Sequence, residues 1–205
     1  MPTPSELPPL CESDVDPDPI RQFRTWFEAA AGAGIDQPEA AALATADADG
    51  APSVRMVLVK GVDERGFTFF TNYASRKGRE LQVNPRAALA FYWGPLGRQV
   101  RVSGPVARTS REESVAYARS RPRGSQLSAL ASPQSEVIGS REQLELRVAE
   151  LDASLGDELP VHESWGGFVL APTAVELWQQ RPDRLHDRLL YTRADGGWRI
   201  DRLAP

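Results

Sequence analysis

Four short segments carry residue types at spacings that chemistry requires. Ser75-Arg76-Lys77 stands at a predicted helix start. The first turn of a helix leaves backbone N–H groups without partners, and serine is a good N-cap. The helix N-terminus is already positive, so Arg76 and Lys77 repel it unless an anion sits there. A phosphate would engage the N–H groups and both side chains together. The alternative is a pair of solvated surface cations. In Arg55-Met56-Val57-Leu58-Val59-Lys60, period 2 places Arg55, Val57 and Val59 on one face and Met56, Leu58 and Lys60 on the other. Lys60 is then either a ligand-facing cation or a lysine snorkelling to water.

Tyr117 and Arg121 share a helical face at a spacing of four, and Pro122 makes Arg121 the last helical residue, with Ser125 on the following turn. Two hydroxyls and a guanidinium suit a phosphate; an exposed arginine at a helix end is the competing reading. In Arg184-Leu185-His186-Asp187-Arg188, an extended chain points Arg184, His186 and Arg188 the same way. Three groups of that charge repel unless they share an anion. Gln99 and Gln134 could hydrogen-bond a heterocycle, whereas Trp165 and Trp178 read as core residues. No P-loop, GxGxxG, GxSxG or HExxH motif is present. Two histidines and one cysteine disfavour a metal site built on those ligands, and no metal is expected. Several anion sites with few proton-transfer groups suit an enzyme whose cofactor does the hard chemistry while the protein orients a phosphorylated substrate.

The bulk properties fit that reading. The chain has 205 residues, 41% hydrophobic and 25% charged, enough for one domain with its own core. A net charge of -4 argues against nucleic acid or an anionic membrane as partner. Lys60 and Lys77 are the only lysines, every other basic residue being arginine. Cys11 is the sole cysteine, so no internal disulfide forms and a reducing compartment is expected. Residues 1–20 lack Arg, Lys and a continuous apolar run, unlike a signal peptide, and no segment reaches the roughly 18 apolar residues of a membrane span. A cytoplasmic protein is expected.

The elements that must position these groups follow from periodicity. Residues 1–18, rich in Pro, Asp, Glu and Ser, read as a flexible arm before a single domain over 19–205. Ile20, Phe23, Trp26, Phe27 and Ala30 predict an amphipathic helix from Pro19 to about Ala31. Strands are predicted at 42–46, 53–60, 66–71, 87–93, 98–106, 167–170, 174–179, 188–192 and 198–203, with Asp49-Gly50 turning the first pair into a hairpin. Further helices are predicted at 75–83, 109–120 and 140–154, the last with Leu144, Val148 and Leu151 on one face. Strands joined by short turns with a few inserted helices predict a mainly β (α+β) antiparallel barrel with peripheral helices.

Taken together, the segments RMVLVK (55–60), FFTN (69–72), SRKGREL (75–81), GRQVRVSG (97–104), YARSRPRGSQ (117–126), SPQS (132–135), WGGF (165–168), ELWQ (176–179), RLHDRLLY (184–191) and WRIDRLAP (198–205) resemble the pyridoxamine 5'-phosphate oxidase family, in family order over residues 16–205. The resemblance implies an FMN-binding split β-barrel, dimeric, with two FMN sites at the subunit interface. It implies that Arg55, Thr71, Ser75, Arg76 and Lys77 hold the FMN phosphate and ribityl chain, and that Met56, Val57 and Leu58 line the flavin through their backbone. Gln99, Gln134, Ser135, Trp178 and Arg188 would contact FMN, some from the partner subunit; Lys60 and Phe70 are further cofactor contacts. Lys60, Tyr117, Arg121 and Ser125 would grip the substrate phosphate, and Arg184 and His186 would cover the pyridine ring and its reacting carbon as the catalytic pair. The implied reaction oxidises pyridoxamine or pyridoxine 5'-phosphate to pyridoxal 5'-phosphate, with O2 as acceptor and H2O2 as product.

Two departures stand out. The family's arm often carries basic and tyrosine residues that fold over the substrate, whereas residues 1–20 here have no Arg, Lys or Tyr; and Phe70 stands where a tyrosine is common. Three rivals stand beside this reading: a related flavin oxidase of phenazine biosynthesis that shares the barrel and the FMN site, a non-catalytic binding module that carries FMN or pyridoxal phosphate, and a split-barrel protein using a deazaflavin or haem. The phosphate clamp argues against the first.

Overall fold

The computed structural model describes residues 7–205. Its order is α1 (Pro19–Gly32), β1 (Ala40–Ala46), β2 (Pro52–Asp63), β3 (Gly66–Asn72), α2 (Arg76–Val83), β4 (Arg86–Trp93), β5 (Arg98–Arg108), α3 (Arg111–Ser120), α4 (Arg123–Ala131), α5 (Arg141–Ser154), β6 (Trp165–Leu170), β7 (Ala174–Gln179), β8 (Asp187–Ala194) and β9 (Gly197–Arg202). All pairings are antiparallel. The strand order β4-β1-β2-β3-β6-β5, with β4 also bonded to β5, closes a six-stranded barrel.

The barrel is split along β5. Residues 98–105 of β5 pair with β4, while on the opposite edge residues 98–103 pair with β7 and 106–108 with β6. The sheet therefore leaves the barrel at β5 and continues through β7, β8 and β9. Length permits this, because β5 runs 11 residues, twice an ordinary strand.

Local chemistry explains the main elements. Asp18 caps α1 by accepting from the Ile20 N–H, and Pro19 fills the first helical position. The apolar stripe of α1 drives Phe23 between Phe67 and Phe91, with ring centroids 4.9 Å from each, so the helix plugs the barrel core. Burial of one such aromatic contributes roughly 1.5–3 kcal/mol. The β1–β2 turn forms where expected: Gly50 takes a φ of 83°, and Asp47 Oδ1 accepts from the Asp49 and Ala51 N–H groups. A register shift between Val59 and Gly61 makes Lys60 the extra residue of a β-bulge. Bulges of this kind re-aim side chains.

Two expectations need correction. Residues 7–18 of the presumed flexible arm lie on the sheet extension: Leu10 and Val15 are buried, Gln179 donates to the Pro8 carbonyl at 2.7 Å, and Tyr191 donates to the Asp16 carbonyl at 2.8 Å. Backbone carbonyls of this stretch, at Pro8 and Asp16, accept from side chains of β7 and β8, while Pro9, Glu12 and Asp14 stay exposed. Residues 1–6 lie outside the described residues. The second correction is α4, which occupies a stretch read as a turn. Pro122 takes the N-cap position and Gly124 the first turn, where neither interrupts a helix. No helix among the described residues is long and apolar enough to cross a membrane.

Candidate functional site

A cleft of about 590 Å³ opens between the outer face of β2, the end of β3, α2, the α3–α4 corner and the segment after α4. Eleven residues singled out in the sequence line it: Met56, Val57, Leu58, Lys60, Phe70, Thr71, Lys77, Tyr117, Arg121, Ser125 and Gln134. β2 presents an unusually apolar outer face, with Val54 69% and Met56 64% exposed. An exposed apolar strip beside a polar cleft marks a surface that something else covers.

The cationic end of the cleft is built by α2. Ser75 caps the helix, its Oγ accepting from the Gly78 N–H at 3.3 Å. Gly78 is required here: a Cβ would meet the Tyr73 carbonyl oxygen at 2.2 Å, so only glycine lets the helix start lie against that backbone. Lys77 is buried, and its Nζ donates to Thr71 Oγ1 at 3.2 Å and Ser75 Oγ at 3.5 Å. Burial, followed by the charge of Arg55, holds the Lys77 ammonium below the ordinary lysine range despite the opposing pull of Glu80. A buried ammonium with two hydroxyls for partners fits an anion such as a phosphate.

Glu80 organises the ground behind Lys77. Its carboxylate accepts from Ser53 at 2.6 Å, Arg76 at 2.8 Å and Arg55 at 3.2 Å, and also from Thr45. Burial alone would push this carboxyl up, but the donors of Ser53, Thr45, Arg76 and Arg55 outweigh it and hold the group at about 2. The picture of two unpartnered cations at the helix start is thereby corrected for Arg76. Its charge is answered by Glu80 one turn on, and its side chain is exposed beside the cleft. Arg55 and Ser75 likewise stand one layer behind the lining.

At the opposite end, α3 and β3 build an aromatic wall. Phe70 stacks on Tyr117 with centroids 4.0 Å apart, Trp165 continues the stack at 5.8 Å from Phe70, and the Arg121 guanidinium lies 5.1 Å over Trp165. Stacking and the cation–π contact fix both donors of this corner. Phe70 thus serves through its ring, by packing Tyr117. Ser125 falls in the first turn of α4 and not on a turn after α3, which is a correction of the spacing argument. Lys60 also faces this cleft, paired with Glu39 at 3.0 Å. Gln134 closes the side, its Oε1 accepting from Thr71 Oγ1 at 3.1 Å; Ser135 follows with a φ of 75°.

Sequence reasoning missed Asn72, Ser128, Ala129, Ser132 and the cleft role of Trp165. Ser125, Ser128, Ala129 and Ser132 stand at i, i+3, i+4 and i+7, one face of a helix, and that signal was present once α4 is recognised. Glu80 was also legible as the residue four after Arg76.

Gln99, Trp178, Arg184, His186 and Arg188 do not line this cleft. Gln99, Trp178 and Arg188 are direct register partners across β5, β7 and β8, so their side chains form one row on one face of the sheet extension. His186 leans on Trp178, with ring centroids 4.6 Å apart. Arg188 has its own carboxylate, Glu176, at 2.9 Å, which raises its pKa. The expectation that Arg184, His186 and Arg188 extend in line is corrected. A tight turn at Pro182–Arg184 precedes β8, with φ of 55° at Asp183 and 62° at Arg184. Two consecutive non-glycine residues in this region cost on the order of 1 kcal/mol or more each, so surrounding contacts must enforce the turn.

The chain matches two family models, "Pyridoxamine 5'-phosphate oxidase" over residues 27–154 and "Pyridoxine 5'-phosphate oxidase C-terminal dimerisation region" over residues 165–205. It is 58% identical over 197 residues to a pyridoxine/pyridoxamine 5'-phosphate oxidase of Rubrobacter xylanophilus, covering 96% of this chain and 91% of that one. It is 57% identical over 195 residues to the protein of that name in Paraburkholderia phytofirmans, covering 94% and 92%. Among solved structures, PhzG from Burkholderia lata, in complex with tetrahydrophenazine-1-carboxylic acid, superposes with a TM-score of 0.92 at 34% identity over 98% of this chain and 99% of that one. A pyridoxamine 5'-phosphate oxidase-related, FMN-binding protein of Nostoc punctiforme shares the fold, with a TM-score of 0.72 at 20% identity, over 89% and 97%.

Proposed function

The chain belongs to the pyridoxamine 5'-phosphate oxidase family, and from that premise we propose that it oxidises pyridoxamine or pyridoxine 5'-phosphate to pyridoxal 5'-phosphate with bound FMN, O2 serving as acceptor and H2O2 as product. The observation that carries this reading is one cleft with two separate anion-binding corners. Lys77, Thr71 and the capped start of α2 form one; Lys60, Tyr117, Arg121 and Ser125 form the other. One corner suits the cofactor's phosphate and the other the phosphate of the substrate.

When bound, FMN supplies the hydride acceptor and the route to oxygen. The protein's own residues bind and orient. Lys77 and Thr71 hold the cofactor phosphate, with Glu80 fixing Arg55 and Arg76 beside it. The outer face of β2 at Met56 and Leu58 gives the flavin an apolar bed. Arg121, held over Trp165, and Tyr117, stacked on Phe70, anchor the substrate phosphate and so set the reacting carbon at a fixed reach, which is a proximity contribution. Arg184 and His186 complete the site from a second copy of the chain: a homodimer joins the cleft of one subunit to the Gln99–Trp178–Arg188 row of its partner.

The purified protein is expected to absorb as a flavoprotein and to release peroxide on addition of pyridoxamine 5'-phosphate in air. Full flavin loading with no turnover of either phosphate ester would refute the proposal. A second reading, action on a bulky tricyclic acid, draws on the structural likeness to PhzG. Lys60, Tyr117, Arg121 and Ser125 bring four donor side chains to one corner, which matches the several oxygens of a phosphate dianion better than the two of a ring carboxylate. Unphosphorylated pyridoxamine separates the two, since only the first reading requires its turnover to collapse relative to the ester.

A further inference from the structure

His186 is held by a backbone donor at a specific ring atom. The Arg181 N–H donates to His186 Nδ1 at 3.2 Å, across the strained turn at Asp183 and Arg184. A nitrogen that accepts a hydrogen bond carries no proton, so a neutral His186 has its proton on Nε2. Nε2 has no protein partner among the described residues.

The donor itself is tied down. The Arg181 guanidinium donates to the Leu7 carbonyl and lies 3.6 Å from Asp187. Asp187 in turn accepts from the Leu10 N–H at 3.1 Å and from Arg202 at 3.1 Å, while Arg202 pairs with Glu12 at 2.8 Å. On the other side, the Gln180 N–H donates to the Gly97 carbonyl at 2.8 Å. Residues 7–12 thus act as a strap across the base of the turn, and Arg181 is the point where strap, turn and β8 meet.

We propose that Arg181 is a positioning residue: strapped to Leu7 and Asp187, it aims its backbone N–H at His186 Nδ1 and so presents Nε2–H to the site as a fixed hydrogen-bond donor. His186 then orients an acceptor atom of the bound ligand and does not take a proton through Nδ1. That Nε2–H meets the cleft of a partner subunit, and that the ligand there is a vitamin B6 phosphate ester, rest on the proposed function; the tautomer and the strap do not.

The protein has two histidines, so long-range 1H–15N spectra of the flavin-loaded chain at pH 8, where an ordinary imidazole is neutral, read the tautomer directly. A His162→Gln variant leaves the His186 signal alone. The expected result is a single Nε2–H form. Arg181→Met should mix the tautomers and lower kcat about tenfold, the order of one lost hydrogen bond in the transition state, with a smaller change in KM because the phosphate corner is untouched. Arg181→Lys, which can still donate to the Leu7 carbonyl, should restore most of both. An Nδ1–H form in the full chain, or an unchanged tautomer in Arg181→Met, overturns the proposal. If Arg181→Met does not fold, the unmodified spectrum and the lysine variant still decide. Absence of turnover with B6 esters alongside a clean Nε2–H signal would refute the proposed function and leave this inference standing.

Discussion

Lys77 sits in a depressed state that an anion would relieve. Burial disfavours its charged form and Arg55 adds repulsion, so its pKa lies below the lysine norm. A phosphate bound beside it favours the ammonium. Cofactor affinity should therefore be full at neutral pH and weaken as pH rises through the lowered pKa, and fluorescence titration of FMN across the alkaline range measures it. Lys77→Met should bind flavin weakly at every pH; retention of the alkaline loss in that variant would assign it to another group. Glu80 gives the opposite sign. Its folded value of about 2 lies under the ordinary 4.5, so it stabilises the fold above pH 4.5, and that contribution is lost as pH falls toward 2. The difference corresponds to on the order of 3 kcal/mol. Glu80→Gln should be less stable than the unmodified chain at pH 7, with the gap closing in acid, as urea unfolding at several pH values would show. Lys60 is held by Glu39 at 3.0 Å and must exchange that partner for a ligand phosphate, so Glu39→Gln should lower KM for the phosphate ester.

At the scale of elements, the start of α2 is a close-packed joint. Gly78→Ala would drive a Cβ against the Tyr73 backbone, which cannot swing aside as a side chain could. The expected outcome is a loss of roughly 1–3 kcal/mol together with loss of flavin, since the same displacement moves Lys77 and Thr71. Thermal unfolding and flavin content should fall together; an unstable variant that keeps its flavin would separate the joint from the anion corner. The neighbouring α4 shows why a helix can pass unread. Its start mixes Pro122, Arg123, Gly124 and Ser125, residues that also build turns. What holds it is tertiary: Leu127 and Ala131 are buried while Ser125 and Ser132 face the cleft.

For the whole molecule, the cleft and the Gln99–Trp178–Arg188 row occupy different parts of one chain, and the proposed homodimer joins them across subunits. Mixed dimers test this. Arg121→Ala damages the cleft and Arg188→Ala damages the row, so each variant alone should turn over poorly. In a mixed dimer one site unites the intact cleft of one subunit with the intact row of the other. Activity should then reappear on refolding the two together, approaching half of the unmodified rate per mixed dimer. No recovery would place both parts of the site within one subunit.

Hydrophobic alternation, turn residues and caps are local properties, and they decided the strands, α1, α2 and the β1–β2 hairpin from sequence alone. The same locality made Lys77 legible as an anion-binding candidate, because it stands at a helix start whose unpaired N–H donors are fixed by backbone geometry, and a spacing of four paired Tyr117 with Arg121; Thr71 entered only through the family resemblance. What the tertiary structure decided depends on residues far apart in the chain. Glu80 reaches Arg55 across 25 positions and answers charges that looked unpartnered. Leu7 reaches Arg181 across 174, turning an arm that reads as loose into a strap, and the turn at Asp183–Arg184 breaks a row that alternation had drawn straight. Periodicity reports which face a residue takes on its own element; only the closed and split barrel determines which elements that face meets.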